Sequence, residues 1–358
     1  MNCKFKGPQG QCLLSKTQVT DEFCLNQCNP KKDYVKLQML KTHFNLTMDL
    51  GTMVVKERPK IGNGQLIVLD NQEQLVNEEE AAKQTISVLL PSCNEENNYL
   101  KQTIVSLLKN AKEDIEILVG LDGGNEESVT DSRVITEKFP ERIGKRKVLN
   151  RLAKIAKGNK FFILDSHCGI TPGWDKVLKR YHPHNSLLQC TLDGMRTIEK
   201  DGTPCWRGKG NRYDFCSLTS DLKDKWWLGY HTRLPKNWKV TETMGITGCG
   251  LLLDRELFNH LGGYIEEFGQ YRGAEGPEWA CKVWLSGGRV LLIRDVTVSH
   301  VFKKNTPYKY SVASLRESYA KIKACFYGMK GPNQIFPPQF IADRFAPVPY
   351  WDGGKEFE

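Results

Sequence analysis

Three features of this 358-residue sequence predict an α/β fold, a sheet covered by helices on its faces. The run Phe161-Phe162-Ile163-Leu164 has no polar interruption, as expected of a strand buried on both sides. Between residues 85 and 167, short apolar runs alternate with stretches whose apolar residues recur at helical spacing. The run at 161 then ends abruptly in Asp165-Ser166-His167-Cys168, and strand ends are where such sheets gather function. Residues i and i+2 point the same way, so Asp165 and His167 can grip one divalent cation whose charge would neutralise a diphosphate. A plain strand-end turn with a surface histidine is the competing reading.

Taken in order, residues 1–30 stand apart as a small Cys-rich module. Cys3, Cys12, Cys24 and Cys28 lie amid Gly, Pro, Gln, Asn and Lys, with too few large apolar residues for a core. Four thiolates around structural Zn²⁺ would supply the missing folding energy, although only Cys24 and Cys28 have a short ligand-like spacing. Unrelated thiols are the alternative. Residues 31–84 form a linker or accessory segment of short apolar clusters, ended by the acidic Glu78-Glu79-Glu80. From residue 85 the pattern predicts a strand at 86–90, a helix at 99–109 with Leu100, Ile104, Leu107 and Leu108 in phase, and a strand at 115–119. A helix is expected over about 127–139 and another over 146–157, followed by the 161 strand. Leu121-Asp122-Gly123-Gly124 is a tight turn presenting one carboxylate, and no glycine-rich phosphate loop occurs. Residues 311–327 are predicted helical, with a Pro-rich tail to 358.

Composition bounds the function. Hydrophobic content of 40% and charged content of 26% are those of a globular chain, neither disordered nor fibrous. No apolar stretch reaches the roughly 18 residues that span a bilayer, so a cytoplasmic location is expected. The 12 cysteines then read as thiols or metal ligands. A net charge of +9 is a mild bias towards an anionic partner, spread along the chain.

PSCNEENNYLKQTIVSLL, ILVGLDGGNEES and FFILDSHCGITPGW resemble the nucleotide-sugar domain of family 2 glycosyltransferases, in particular that of the polypeptide N-acetylgalactosaminyltransferases. Further on, Gly248 to Asp254, Leu261-Gly262-Gly263-Tyr264, the segment Gly273-Ala274-Glu275-Gly276-Pro277-Glu278 and Ser299-His300-Val301-Phe302 continue that likeness. The resemblance implies a GT-A fold, a Rossmann-like mixed sheet flanked by helices, over 85–310, with 311–358 as a C-terminal helix and tail. It implies that Asp165, His167 and His300 hold Mn²⁺ and that Asn94, Glu95, Asp122, Arg146 and Asp165 contact a nucleotide-diphosphate sugar, expected to be a UDP-sugar. Glu275 would hydrogen-bond sugar hydroxyls and Glu278 would orient the site.

Departures qualify this. Leu121 occupies a place the family usually gives to an acid, so the uridine preference is open. Gly276 follows Glu275 where inverting members carry the aspartate that takes the acceptor proton, and a glycine cannot abstract one, which points to a retaining route. Arg272 replaces a tryptophan of the family. Residues 191–245 are least similar and carry Trp206, Trp226, Trp227, Tyr230 and Trp238 among Arg and Lys. Such a patch suits a sugar, a peptide or an unstacked base, or is simply core. The expected acceptor is a hydroxyl on a macromolecule, in a protein or in hydroxymethylated DNA. The rival from another class is a non-catalytic nucleotide-sugar or nucleic-acid binding protein. The lectin domain and anchor of the animal enzymes are not seen, which fits a bacterial or virus-infected host cytoplasm.

Overall fold

The computed structural model describes residues 76–195, 215–227, 230, 234, 238–269, 274–303, 311–349 and 351, and the backbone of several short strands outside them. Cys3, Cys12, Cys24, Cys28 and Arg272 lie outside the described residues, as does the side chain of Trp206.

In chain order, the hairpin β1 (Thr47–Asp49) and β2 (Thr52–Val54) precedes β3 (Val68–Leu69), α1 (Glu78–Ala82), β4 (Ile86–Ser92), α2 (Tyr99–Asn110), β5 (Ile115–Asp122), β6 (Val134–Phe139), α3 (Lys145–Ile155) and β7 (Lys160–Ile163). There follow β8 (Cys168–Ile170), α4 (Trp174–Tyr181), β9 (Ser186–Ile198), β10 (Pro204–Trp206), β11 (Arg212–Tyr213), β12 (Cys216–Leu218), β13 (Asp224–Trp226), β14 (Val240–Glu242) and β15 (Leu251–Asp254). The chain continues through α5 (Arg255–His260), α6 (Glu275–Leu285), β16 (Arg289–Val301), α7 (Val312–Tyr327) and α8 (Gln339–Phe345). The main sheet runs β3-β14-β16-β9-β15-β7-β4-β5-β6. Its β7-β4-β5-β6 half is parallel, whereas β15 is antiparallel to both β7 and β9.

Strand β7 shows why an uninterrupted apolar run is needed. Phe161 and Ile163 pack into one core with Leu149, Leu152, Leu253 and Phe258, while Phe162 and the following Leu164 pack into the core on the other side with Ile104, Leu107 and Trp174. All four are fully buried. Each such side chain contributes roughly 1.5–3 kcal/mol relative to exposure, so the middle of the sheet is a rigid base for the strand ends.

Two sequence expectations differ from the structure. The helix expected over about 127–139 is instead β6, which pairs in parallel with β5 from Val134 to Phe139. The β-branched Val134, Ile135 and Thr136 favour the extended backbone, and the open edge of β5 supplies its hydrogen bonds. The acidic Glu78-Glu79-Glu80 is solvated as expected, but as the first turn of α1 and not as irregular linker, capped by the Asn77 side chain, which accepts from the Glu80 N–H at 2.8 Å. Three carboxylates at a helix start are favoured by the helix dipole.

Candidate active site

The carboxyl ends of β4, β5 and β7 open into a cavity of about 450 Å³, closed on the far side by α6, the end of β16, β13 and α7. Asp165 and His167 follow β7, and His300 arrives on β16, where it pairs with Cys168 of β8. A carboxylate oxygen and one ring nitrogen of each histidine lie within 4.8 Å of one another. The His167 and His300 Nε2 atoms are 3.1 Å apart, and His300 Nε2 is 3.3 Å from Asp165 Oδ2. Glu95 sits 3.2 Å behind His167 Nδ1 and also pairs with Lys303. With the Nδ1 proton of His167 given to that carboxylate, its Nε2 lone pair faces Asp165 and His300. Such convergence of two imidazoles and a carboxylate suits a divalent cation of intermediate hardness, so the residues fit a metal of the manganese type.

Electrostatics agree. Burial alone would raise the Asp165 carboxyl, but the Lys145 ammonium, together with His300 and His167, holds it well below the ordinary range. Burial pushes His300 down to about 4, against the opposing pull of Asp165, so its ring is neutral and its lone pair available at neutral pH. Burial also works against the Glu95 carboxylate, yet its bonds to His167 and Lys303 prevail and hold it low.

The other expected site residues fall in different places. Glu95, Asp122, Asp165 and Glu275 line the cavity. Asn94 does not; it is exposed, with a left-handed backbone (φ 50°) that turns the chain after β4 and aims Glu95 inward. Asp122 accepts from the Ile143 N–H at 2.6 Å and the Gly144 N–H at 3.0 Å, fixing the start of α3. That start presents Lys145, not Arg146, to the cavity: Lys145 Nζ lies 2.7 Å from Asp165 Oδ1 and 3.3 Å from the Gly248 carbonyl. Arg146 does not line it; its guanidinium is buried against Glu278 at 2.9 Å and the Gly269 carbonyl at 3.1 Å, and reaches the cavity residue Glu275 from behind at 3.9 Å. Glu278 is fully buried as well. It binds Arg146, Lys282 at 2.8 Å and the Ile265 N–H at 2.7 Å, so it stiffens α6 behind the site instead of entering it.

Gly276 has a steric reason. A Cβ there would come within 2.1 Å of the Ile246 carbonyl oxygen, so no side chain of any kind fits beside Glu275. Of the described aromatic residues between 191 and 245, Trp227, Tyr230 and Trp238 belong to the core, and Trp226 reaches the cavity. Sequence reasoning did not single out Lys145, Lys303, Asp224 or Tyr319 as cavity residues. Lys145 stands one position before Arg146, so a one-residue shift in the helix start separates them. The Asp224–Tyr319 bond, 2.5 Å, joins β13 to α7 and carries no local sequence signal.

Open α/β sheets take their ligands at the carboxyl ends of the strands, and this one gathers a carboxylate and two histidines there. Residues 87–262 match the model of Glycosyl transferase family 2, and that stretch belongs to this family. Among similar proteins, a Drosophila melanogaster chain named as a polypeptide N-acetylgalactosaminyltransferase is 27% identical over 252 residues, 65% of this chain and 44% of that one. The human polypeptide N-acetylgalactosaminyltransferase 13 is 24% identical over 229 residues, 62% of this chain and 37% of that one. This chain therefore spans less than half the length of the curated relatives it matches. A crystal structure of GalNAc-T7 with UDP, GalNAc and Mn²⁺ shares the fold, with a TM-score of 0.53 at 20% identity, over 73% of this chain and 55% of that one. Among the described residues, no helix is long and apolar enough to cross a membrane.

Proposed function

We propose that this chain is a Mn²⁺-dependent glycosyltransferase that moves a sugar from a nucleotide-diphosphate donor, a UDP-sugar, to a hydroxyl acceptor with retention of configuration. The observation that carries this reading is the convergence of Asp165, His167 and His300 in one cavity. These residues would hold the ion, and the GalNAc-T7 structure with UDP and Mn²⁺ supports the choice of metal. When bound, the metal supplies Lewis-acid stabilisation of the departing diphosphate.

The chain's own groups do the rest. Lys145 places a second positive charge beside Asp165, against the negative charge that develops on the leaving group. Glu275, at the first turn of α6, offers its carboxylate to sugar hydroxyls. Since position 276 admits no side chain, no carboxylate next to Glu275 can take the acceptor proton, which favours retention. Trp226 and Phe302 give the cavity mouth two apolar faces against which a sugar ring or an acceptor side chain can rest.

The test is radiolabelled UDP-sugars with Mn²⁺, offered a Ser/Thr peptide pool in one arm and hydroxymethylated duplex DNA in the other. Donor turnover should vanish in EDTA and in His167→Ala; full activity in EDTA would overturn the metal-dependent reading. Nucleotide binding with no turnover on any acceptor or water would favour a binding protein instead. NMR of the product decides the stereochemistry. A product of inverted configuration would reject retention and move the base role to Asp224, the further carboxylate in the cavity.

A further inference from the structure

We infer that Cys168, Cys249 and His300 form a second, thiophilic metal site beneath the Asp165–His167–His300 group, selective for soft divalent ions such as Cd²⁺ or Zn²⁺, which inhibit by capturing the shared His300. The two sulfurs lie 3.6 Å apart, and one ring nitrogen of His300 is within 4.8 Å of both. Tetrahedral zinc with Zn–S bonds of about 2.3 Å needs its sulfurs about 3.8 Å apart, so the pair is nearly at ligand spacing before any ion arrives. Independent secondary structure holds each ligand. Cys168 opens β8, and its N–H is fixed by the Thr103 hydroxyl at 2.9 Å. Cys249 precedes Gly250, whose left-handed backbone (φ 73°) and N–H bond to the Ile163 carbonyl at 2.9 Å lock the turn into β15. His300 is paired with Cys168 across β16 and β8.

Two further observations point to a ligand. The Nδ1 atom of His300 is buried and has no hydrogen-bond partner, although the ring's Nε2 faces His167 and Asp165 and its plane lies against Phe302. Cys249 lines the cavity, which gives an ion a way in, whereas Cys168 lies wholly inside. Two thiolates and one imidazole with an open fourth position make a donor set that hard ions such as Mn²⁺ and Mg²⁺ bind poorly and Zn²⁺ and Cd²⁺ bind well. Binding exchanges the two thiol protons for the ion and releases them to solvent. No oxidant or reductant is involved. A neutral imidazole carries a single lone pair, so an ion on the sulfurs that takes the one of His300 leaves the upper group with only Asp165 and His167.

The test uses the full chain, reduced and metal-free, titrated with CdCl₂ while the ultraviolet thiolate-to-cadmium charge-transfer absorption is followed. Cysteines elsewhere in the chain also bind cadmium, so the readout is a difference. Cys249→Ser and Cys168→Ser should each lose about one equivalent of bound ion and the matching absorption, with unchanged melting curves as the folding control. The double substitution should lose no more than either alone. Variants that bind as much cadmium as the parent would overturn the site. A second arm follows free Mn²⁺ by its electron paramagnetic resonance signal. Cadmium at one equivalent should weaken Mn²⁺ binding by about tenfold or more in the parent and by clearly less in Cys249→Ser, where only direct competition at Asp165, His167 and His300 remains. Unchanged Mn²⁺ affinity in the cadmium-loaded parent would reject the sharing of His300. The Mn²⁺ arm rests on the proposed function, whereas the cadmium stoichiometry needs neither Mn²⁺ nor sugar transfer, so failure of this site and failure of that reading are distinguishable.

Discussion

The two ends of strand β7 carry the same set of side chains, a lysine, an aspartate and two histidines, and do opposite things with them. At the carboxyl end of β7 stand Lys145, Asp165, His167 and His300; at its amino end stand Lys160, Asp254, His182 and His184. The second quartet is closed on itself. Lys160 Nζ donates to Asp254 at 2.6 Å and lies 2.7 Å from His182 Nδ1, His182 Nε2 donates to the Ser186 carbonyl at 2.8 Å, and His184 Nδ1 donates to Asp254 at 3.0 Å. The first quartet leaves two Nε2 atoms facing each other at 3.1 Å and the His300 Nδ1 without a partner. Buried polar groups are ordinarily satisfied, so the unsatisfied quartet marks a place for something the chain does not itself supply. The inventory of residues alone does not separate a staple from a binding site; hydrogen-bond bookkeeping does.

The comparison is most sharply broken at the staple. Asp254→Ala leaves Lys160 buried without its carboxylate and should cost about 3–5 kcal/mol of stability in urea denaturation. The double variant Lys160→Met/Asp254→Leu should recover most of that loss, because no charge is left stranded. If Asp254→Ala is as stable as the parent, the closed quartet is not structural. The matching change at the open quartet, Asp165→Asn, should lower transfer by about 10²–10³-fold while shifting the melting temperature little. A large loss of stability with proportionate activity would mean that the two ends are alike.

Much of this was readable in the sequence, for reasons that can be stated. Asp165 and His167 stand out because an apolar run ends there, whereas His300 was legible only through the likeness of Ser299-His300-Val301-Phe302 to the family's segment; that it meets the other two is a fact of the fold. Residues whose surroundings come from distant chain segments were not readable. Arg146 and Lys145 are neighbours in the Lys145-Arg146-Lys147 run, and only the start of α3, set by Asp122 across 21 positions, decides which of them faces the cavity. Glu278 sits one helical turn from Glu275, yet Arg146 and Lys282 draw it into the interior. The run 134–139 turned into an edge strand because β5 had an unpaired side, which no local window reveals. Trp227, Tyr230 and Trp238 are core and Trp226 is not, a division that strand β13 makes by alternation and packing.

A smaller effect is expected one layer behind the open quartet. Glu95→Gln keeps the size of the side chain but loses the charge that fixes the His167 tautomer and pairs with Lys303. Outer partners of this kind are typically worth about 10–100-fold in metal affinity. Isothermal titration should therefore show Mn²⁺ binding weakened within that range, with the nucleotide's dependence on Mn²⁺ retained. An unchanged affinity would show that Glu95 only holds the loop after β4.

The last expectation is a pH dependence of stability in which groups of the two quartets oppose and reinforce one another. Burial, with Lys160 beside it, pushes His182 down to about 3 from an ordinary 6.5. Below about pH 6.5 the unfolded chain therefore takes up a proton that the folded one refuses, and stability falls on acidification by at most about 1.4 kcal/mol per pH unit. His300, down to about 4, acts in the same direction in the metal-free protein. His184 acts the other way. The Asp254 carboxylate raises its pKa, so it adds stability below the ordinary 6.5 that is lost as the pH rises through its folded value; its side chain is 70% exposed, and screening keeps that contribution small. Burial works against the Asp254 carboxylate, but His184, His182 and Lys160 hold it low, and its contribution survives until the pH drops below the usual 3.8. The net expectation is a melting temperature, measured in EDTA, that declines steadily from about pH 6.5 to about pH 4.5. His182→Gln should flatten that decline, since a neutral amide accepts no proton. An equal slope in the variant would show that acid acts on the open quartet alone.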